Sequence, residues 1–141
     1  MENKSYKVIV DTNIWISFLI GKSLKGLQNH IDSHFIQIVT CDEQLQELSE
    51  VFKKPKIKKY FSHEHISDFF DLLDFSTEKI TISSISNICR DAKDNYLISL
   101  AIDSNADFLL TGDLDLLILN KVQTTLILNY TDFDKIIKNQ L

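Results

Sequence analysis

Apolar residues recur along the chain in two alternating rhythms. Short aliphatic, often β-branched runs occupy residues 7–11, 35–40, 79–83, 107–111 and 124–129, the length and composition of strands buried in a sheet. Between them, apolar positions fall three and four residues apart, the spacing of one helical face. This predicts helices near residues 13–19, 24–33, 42–53, 56–61, 64–75, 91–105, 114–118 and 132–139. The punctuation agrees. Gly21 and Gly26 bracket a break, Asp42 is placed to cap the helix after the second strand, Pro55 forces a boundary, and Asp91 opens the helix reaching Asn105. Trp15, Phe18 and Leu19 are core positions of the first helix, and the Phe and Leu cluster at 69–75 is expected in the core, with a partner surface as the alternative. Strands alternating with helices imply an α/β protein whose mostly parallel sheet is covered on both faces.

Composition narrows the class. The 141 residues have the length of one domain with room for a core, so the expectation is a single domain over residues 1–141. One Pro and three Gly argue against linkers or a series of small hairpins. The chain begins without an apolar leader and has no apolar run long enough to span a bilayer. Cys41 and Cys89 fit no metal-ligand or redox spacing, and two reduced thiols suit a cytoplasmic protein with no membrane partner. A net charge of −5 counts against nucleic acid as a partner. That objection is softened by a local patch, Lys53, Lys54, Lys56, Lys58 and Lys59, which holds five of the 15 positive charges. The patch is either a solvated helix end or a contact for phosphate or an acidic partner.

Candidate chemistry lies in scattered acids. Asp11 ends the first strand and Asp113 follows the fourth, so both sit at the carboxyl edge of the sheet, where open α/β sheets place their ligands. Asp94 falls on the apolar face formed by Leu97, Ile98, Ala101 and Ile102, where a carboxylate is costly unless compensated by a cation or used as a local cap. At roughly 100° per residue, Glu47 borders the stripe of Leu45, Leu48, Val51 and Phe52, whereas Glu43 and Glu50 lie further round towards solvent. Acids converging on one point repel unless a hard divalent cation lies between them. One of Asp113 and Asp115 is expected to point inward and the other to cap the short helix after Gly112. Thr12, Asn13 and Thr111 offer small polar groups that either orient a ligand or cap locally. His30 and His34 have a zinc-compatible i, i+4 spacing but no evident third ligand, and His63 and His65 lie in a polar segment that caps a helix.

Four segments carry a resemblance. Val8-Ile9-Val10-Asp11-Thr12-Asn13, Glu47-Leu48-Ser49-Glu50-Val51-Phe52, Asp91-Ala92-Lys93-Asp94-Asn95 and Thr111-Gly112-Asp113-Leu114-Asp115-Leu116-Leu117 resemble, in order, the motifs of the PIN-domain nucleases. The likeness spans nearly the whole chain and is nearest to the toxin components of bacterial toxin–antitoxin systems. It implies a three-layer α/β/α sandwich with a five-stranded, mostly parallel sheet ordered 3-2-1-4-5. It implies a catalytic set at Asp11, Glu47, Asp94 and Asp113, with Mg²⁺ or Mn²⁺ held by Asp11, Asp94 and Asp113 and by Asp115 as an auxiliary. The implied activity is hydrolysis of RNA phosphodiester bonds, in which the cation acidifies the attacking water and neutralises charge on the phosphate. The implied partners are RNA, an antitoxin protein and a second copy of the chain. A haloacid-dehalogenase-like hydrolase would need a second Asp two residues after the first, where Asn13 stands, and a receiver domain would need an acidic pair and a late Lys. The remaining alternative is a catalytically weak PIN domain serving as an interaction module.

Overall fold

Two five-residue apolar runs, β1 (Tyr6–Val10) and β2 (Ile36–Thr40), pair in parallel at the heart of the sheet. The computed structural model describes residues 5–21, 29, 36–85 and 92–139. The helix expected at 24–33 (apart from residue 29) lies outside them, as do Gly26, His30, His34, Cys89 and Asp91. The remaining strands are β3 (Thr77–Lys79), β4 (Phe108–Leu110), β5 (Lys121–Val122) and β6 (Thr125–Leu128), in the order β3-β2-β1-β4-β6-β5. All neighbours are parallel except β5 and β6.

Among the described residues the sheet therefore has six strands instead of five. The extra strand, β5, is two residues long, too short to leave a periodic signal. It joins β6 through Gln123 and Thr124, with Asn120 and Gln123 at positive φ. β3 also starts earlier than its apolar pattern suggests. The Thr77 hydroxyl donates to the Leu73 carbonyl at 2.5 Å as the preceding helix ends, and pairing with β2 begins at once. Ile80 and Ile82 of the expected strand instead pack, half-buried, beneath the sheet.

Strand alternation sends side chains to two cores. Val8, Val10, Ile36, Ile38, Phe108 and Leu110 face one side; Ile9, Val39, Leu109 and Ile127 face the other. On the first side pack α1 (Thr12–Gly21), α2 (Asp42–Phe52), α4 (His63–Ser76) and α7 (Tyr130–Asn139), through Trp15, Phe18, Leu48, Phe52, Phe69, Leu73, Phe133 and Ile137. On the second pack α5 (Asn95–Ser104) and α6 (Leu114–Leu117), through Leu97, Ile98, Leu100, Ala101 and Leu116. The result is a three-layer α/β/α sandwich. Between α2 and α4 lies the four-residue helix α3 (Pro55–Lys58), with Pro55 in its first turn, where the missing N–H costs nothing. Phe75 departs from the expected core, being 93% exposed. None of the described helices is long and apolar enough to cross a membrane.

One cap differs from expectation and a second agrees with it. Asp42 is the first residue of α2, not its cap, which is Cys41; Asp42 instead meets the Lys79 ammonium at 3.1 Å across an exposed surface. In α4 the cap is Ser62, whose hydroxyl accepts from the His65 amide at 3.1 Å, so His63 and His65 occupy the exposed first turn.

One buried polar residue locks α2 onto the strand ends. Gln44, fully buried, donates from Nε2 to the Val10 carbonyl at 2.5 Å and accepts at Oε1 from the Thr40 hydroxyl at 2.6 Å. Gln44, Leu48 and Phe52 form the buried i, i+4, i+8 row of the helix. Replacing Gln44 with Ala strands a buried carbonyl and a buried hydroxyl, so a loss of about 2–3 kcal/mol is expected. Urea unfolding measures it as a lower midpoint at unchanged slope.

Candidate active site

The first acid is fixed by the sheet. Asp11 directly follows β1, its amide donates to the Leu110 carbonyl at 2.9 Å, and it is only 4% exposed. The Thr111 hydroxyl donates to its Oδ2 at 2.7 Å, and the Asn13 amide approaches Oδ1 at 3.4 Å. Burial nevertheless pushes the Asp11 carboxyl above its ordinary range; these hydrogen bonds oppose the rise, and the neighbouring charges of Glu47 and Asp113 add to it.

The turn after β4 brings the second acid. Thr111 is fully buried and its hydroxyl also accepts from the Asp113 amide at 3.0 Å, so one side chain ties both acids to the ends of adjacent strands. Asp113 combines the two roles expected of Asp113 and Asp115. It lines the cleft, and its Oδ1 accepts from the Asp115 amide at 2.9 Å, capping α6. Asp115 is not among the residues lining the cleft.

The other two acids come from helices on opposite faces of the sheet. Glu47 is half-buried on α2, three residues beyond Gln44. Asp94 ends a short 3-10 turn (Ala92–Asp94) and precedes the first residue of α5. It buries Oδ2 and its side chain makes no capping bond. Asp94 is half-buried instead of central on the apolar face, because the α-helical stripe of Leu97, Ile98 and Ala101 begins only after it.

Asp11, Glu47, Asp94 and Asp113 all line one open cavity of about 520 Å³, together with Thr12 and Asn13. Thr111 lies beneath it, touching the cleft only through the acids. Glu43 and Glu50 are solvent-exposed as expected, yet both reach the cavity rim. Of the lysine patch, Lys54 lines the cavity, while Lys53, Lys56, Lys58 and Lys59 are exposed away from it.

Three residues that the sequence did not single out belong to this place. Tyr96, in the first turn of α5, donates from its hydroxyl to Glu47 Oε1 at 2.8 Å and lies 3.3 Å from the Thr12 hydroxyl. Burial raises the Tyr96 phenol far above its ordinary range, so it stays a donor. Lys93 lines the cavity, as Lys54 does, and Gln44 anchors the helix that carries Glu47. The signal for Gln44 was its place on the i, i+4 row with Leu48; Tyr96 gave none.

The donor set consists of carboxylates, the hard oxygens that suit Mg²⁺ or Mn²⁺ and not softer metals. Among the described residues, no three Asp, Glu, His or Cys side chains are drawn close enough to hold an ion as they stand. Cys41 is buried, with its thiol pushed up to about 11 chiefly by burial, and it lies in the core under Val39.

Three comparisons bear on this arrangement. A family model described as the PIN domain matches residues 7–115. An uncharacterized protein of Methanocaldococcus jannaschii is 34% identical over 123 residues, covering 83% of this chain and 77% of its own length. The fold is similar to that in the crystal structure of VapBC2 from Rickettsia felis bound to a DNA fragment from their promoter. That similarity has a TM-score of 0.57 and 18% identity, over 88% of this chain and 98% of that one.

The burial of Asp11 has a measurable cost. Between its ordinary value of 3.8 and its raised pKa, the folded chain keeps a proton that the unfolded chain has released. Stability from this group is therefore complete below 3.8 and is lost as pH rises through the raised value. Asp11→Asn removes the charge, so in a chelator at neutral pH its Tm is expected to exceed the parent's, by about 2–4 °C per kcal/mol gained. The difference vanishes in acid. Thermal melts across pH measure both.

Proposed function

The chain belongs to the PIN-domain family, and from that membership we propose that it is a metal-dependent ribonuclease hydrolysing RNA phosphodiester bonds. Residues 1–141 form one PIN domain in this reading, and the protein is the toxin of a type II toxin–antitoxin pair, cytoplasmic and homodimeric. The observation that carries the proposal is the meeting of four carboxylates, from four separate elements, on one open cavity at the carboxyl ends of β1 and β4.

Asp11, Asp94 and Asp113 would hold Mg²⁺ or Mn²⁺, with Asp115, outside the cavity wall, in the auxiliary place. When bound, the ion supplies positive charge that offsets the negative charge of the phosphate and favours ionisation of the attacking water. The chain's own residues do the rest. Lys54 and Lys93 both line the cavity and offer ammonium groups to phosphate oxygens of the substrate. Lys53, Lys56, Lys58 and Lys59 extend that contact along an RNA strand. Thr111 holds the carboxylates of Asp11 and Asp113 in fixed relation through its hydroxyl. Glu47, hydrogen-bonded by the Tyr96 hydroxyl, accepts a proton from the attacking water. The water oxygen bonds to phosphorus, one P–O ester bond breaks, and the leaving oxygen takes a proton from solvent.

A second reading, the catalytically weak interaction module, is favoured by one feature. An apolar cavity of about 530 Å³ lies between α1 and α4, lined by Leu19, Phe52, Tyr60, Ile66, Phe69 and Leu72. In the toxin reading this face receives the antitoxin.

The deciding experiment is RNA cleavage by the purified chain with Mg²⁺ or Mn²⁺. Asp11→Asn and Asp94→Asn are each expected to lose on the order of 100-fold or more in rate, the equivalent of several kcal/mol of charge stabilisation. Cleavage that persists in a chelator, or activity equal to the parent's in both variants, sinks the nuclease reading. No cleavage by any form, with no protein copurifying, favours the module. Independently, Lys54→Ala should weaken RNA binding without changing sequence preference and reduce the salt dependence by about one phosphate contact. Binding titrations at several salt concentrations check this.

A further inference from the structure

The acids of the cleft are not held alike. Asp11 and Asp113 sit on short side chains, tethered by Thr111 and by backbone amides at the ends of strands. Glu47 reaches the cavity on a longer side chain, with an extra rotatable bond, from a helix on one face of the sheet. Left alone, such a side chain samples several rotamers and spreads its charge over the cleft. What meets it is Tyr96, from α5 on the opposite face, at 2.8 Å on Oε1.

We infer that Tyr96 is a positioning residue: its hydroxyl, itself oriented by Thr12, fixes the Glu47 carboxylate beside Asp11 in the arrangement that the cation and the reaction require. This rests on the nuclease reading. The direction of the chain of hydrogen bonds follows from the one proton each hydroxyl carries. Tyr96 spends its proton on Glu47, so Thr12 must donate to the Tyr96 oxygen at 3.3 Å. Thr12 directly follows Asp11 and is 2% exposed, so the relay joins the end of β1 to Glu47 on α2 by way of α5. The choice of donor matters. A lysine at this place would orient Glu47 but cancel the charge that attracts a cation, whereas a phenol orients it and leaves the charge intact. The bond engages Oε1, and a carboxylate has a second oxygen to offer to the cleft.

The test is Tyr96→Phe in the full chain, which deletes one oxygen and keeps the ring. Two quantities are read: the Mn²⁺ dissociation constant without RNA, by calorimetric titration, and the rate of RNA cleavage. The expected result is Mn²⁺ binding weakened severalfold and cleavage reduced about tenfold, the size of effect seen when a group behind a metal site is removed. In a Glu47→Ala background, the same change should alter neither quantity. Thr12→Val, acting one step further out, should give a smaller loss of the same kind, and it serves if Tyr96→Phe does not fold. Equal losses from Tyr96→Phe with and without Glu47 overturn the positioning role, as does parental Mn²⁺ affinity and cleavage in Tyr96→Phe. Asp11→Asn separates the two ideas. If the parent binds Mn²⁺ and cleaves RNA while Asp11→Asn does neither, a null result for Tyr96→Phe overturns this inference alone. If the parent itself neither binds Mn²⁺ nor cleaves, both fall.

Discussion

A carboxylate buried between two strand ends sets the terms for everything around it. Removing the Asp11 side chain from water costs free energy that an apolar neighbour cannot return. The chain answers with a hydroxyl and an amide, from Thr111 and Asn13, and it ties the backbone of Asp11 to β4 through Leu110. Each answer fixes something else. Thr111 can reach Asp11 only if β4 ends level with β1, and the same hydroxyl then dictates where the chain turns towards Asp113. The Asn13 amide is available only because α1 starts immediately after the acid. Gln44, binding the last carbonyl of β1, sets α2 and hence Glu47 against the same point. The geometry of the cleft is thus largely the consequence of accommodating one charge.

This logic explains which parts of the site were legible in the sequence. Asp11 and Asp113 were visible because a strand end is a local feature: apolar residues followed by an acid. Glu47 was visible by its angle on a helix whose stripe could be counted, although that count began at Leu45 and missed Gln44, buried on the same row. Asp94 was found for a reason that needed correction, since a 3-10 turn places it ahead of the apolar face. Tyr96 was not legible at all. Its partner lies 49 residues away in sequence on the other side of the sheet, and no periodicity encodes a contact between layers. The strands repeat the lesson. Long apolar runs gave β1, β2, β4 and β6, whereas β5 is shorter than any period and β3 was displaced by the way Thr77 ends α4.

Charge is distributed on two scales. The chain is acidic overall, with a net charge of −5, and its cleft concentrates carboxylates on several walls. A polyanion approaching such a surface is repelled at long range. Lys54 and Lys93 offset part of that charge at the cleft, and the exposed lysines continuing from Lys54 form a positive patch beside it. The positive field of these lysines is short-ranged, and simple salts screen it readily.

The edges of the sheet carry a separate consequence. Among the described residues it closes on one side with the three residues of β3 and on the other with the two of β5. Exposed charges sit on both, Glu78 and Lys79 on β3 and Lys121 on β5. An open row of backbone amides and carbonyls is a template on which a neighbouring chain can stack and aggregate, and short, charged rims remove it. Short, charged rims of this kind disfavour extension of one continuous ladder from chain to chain.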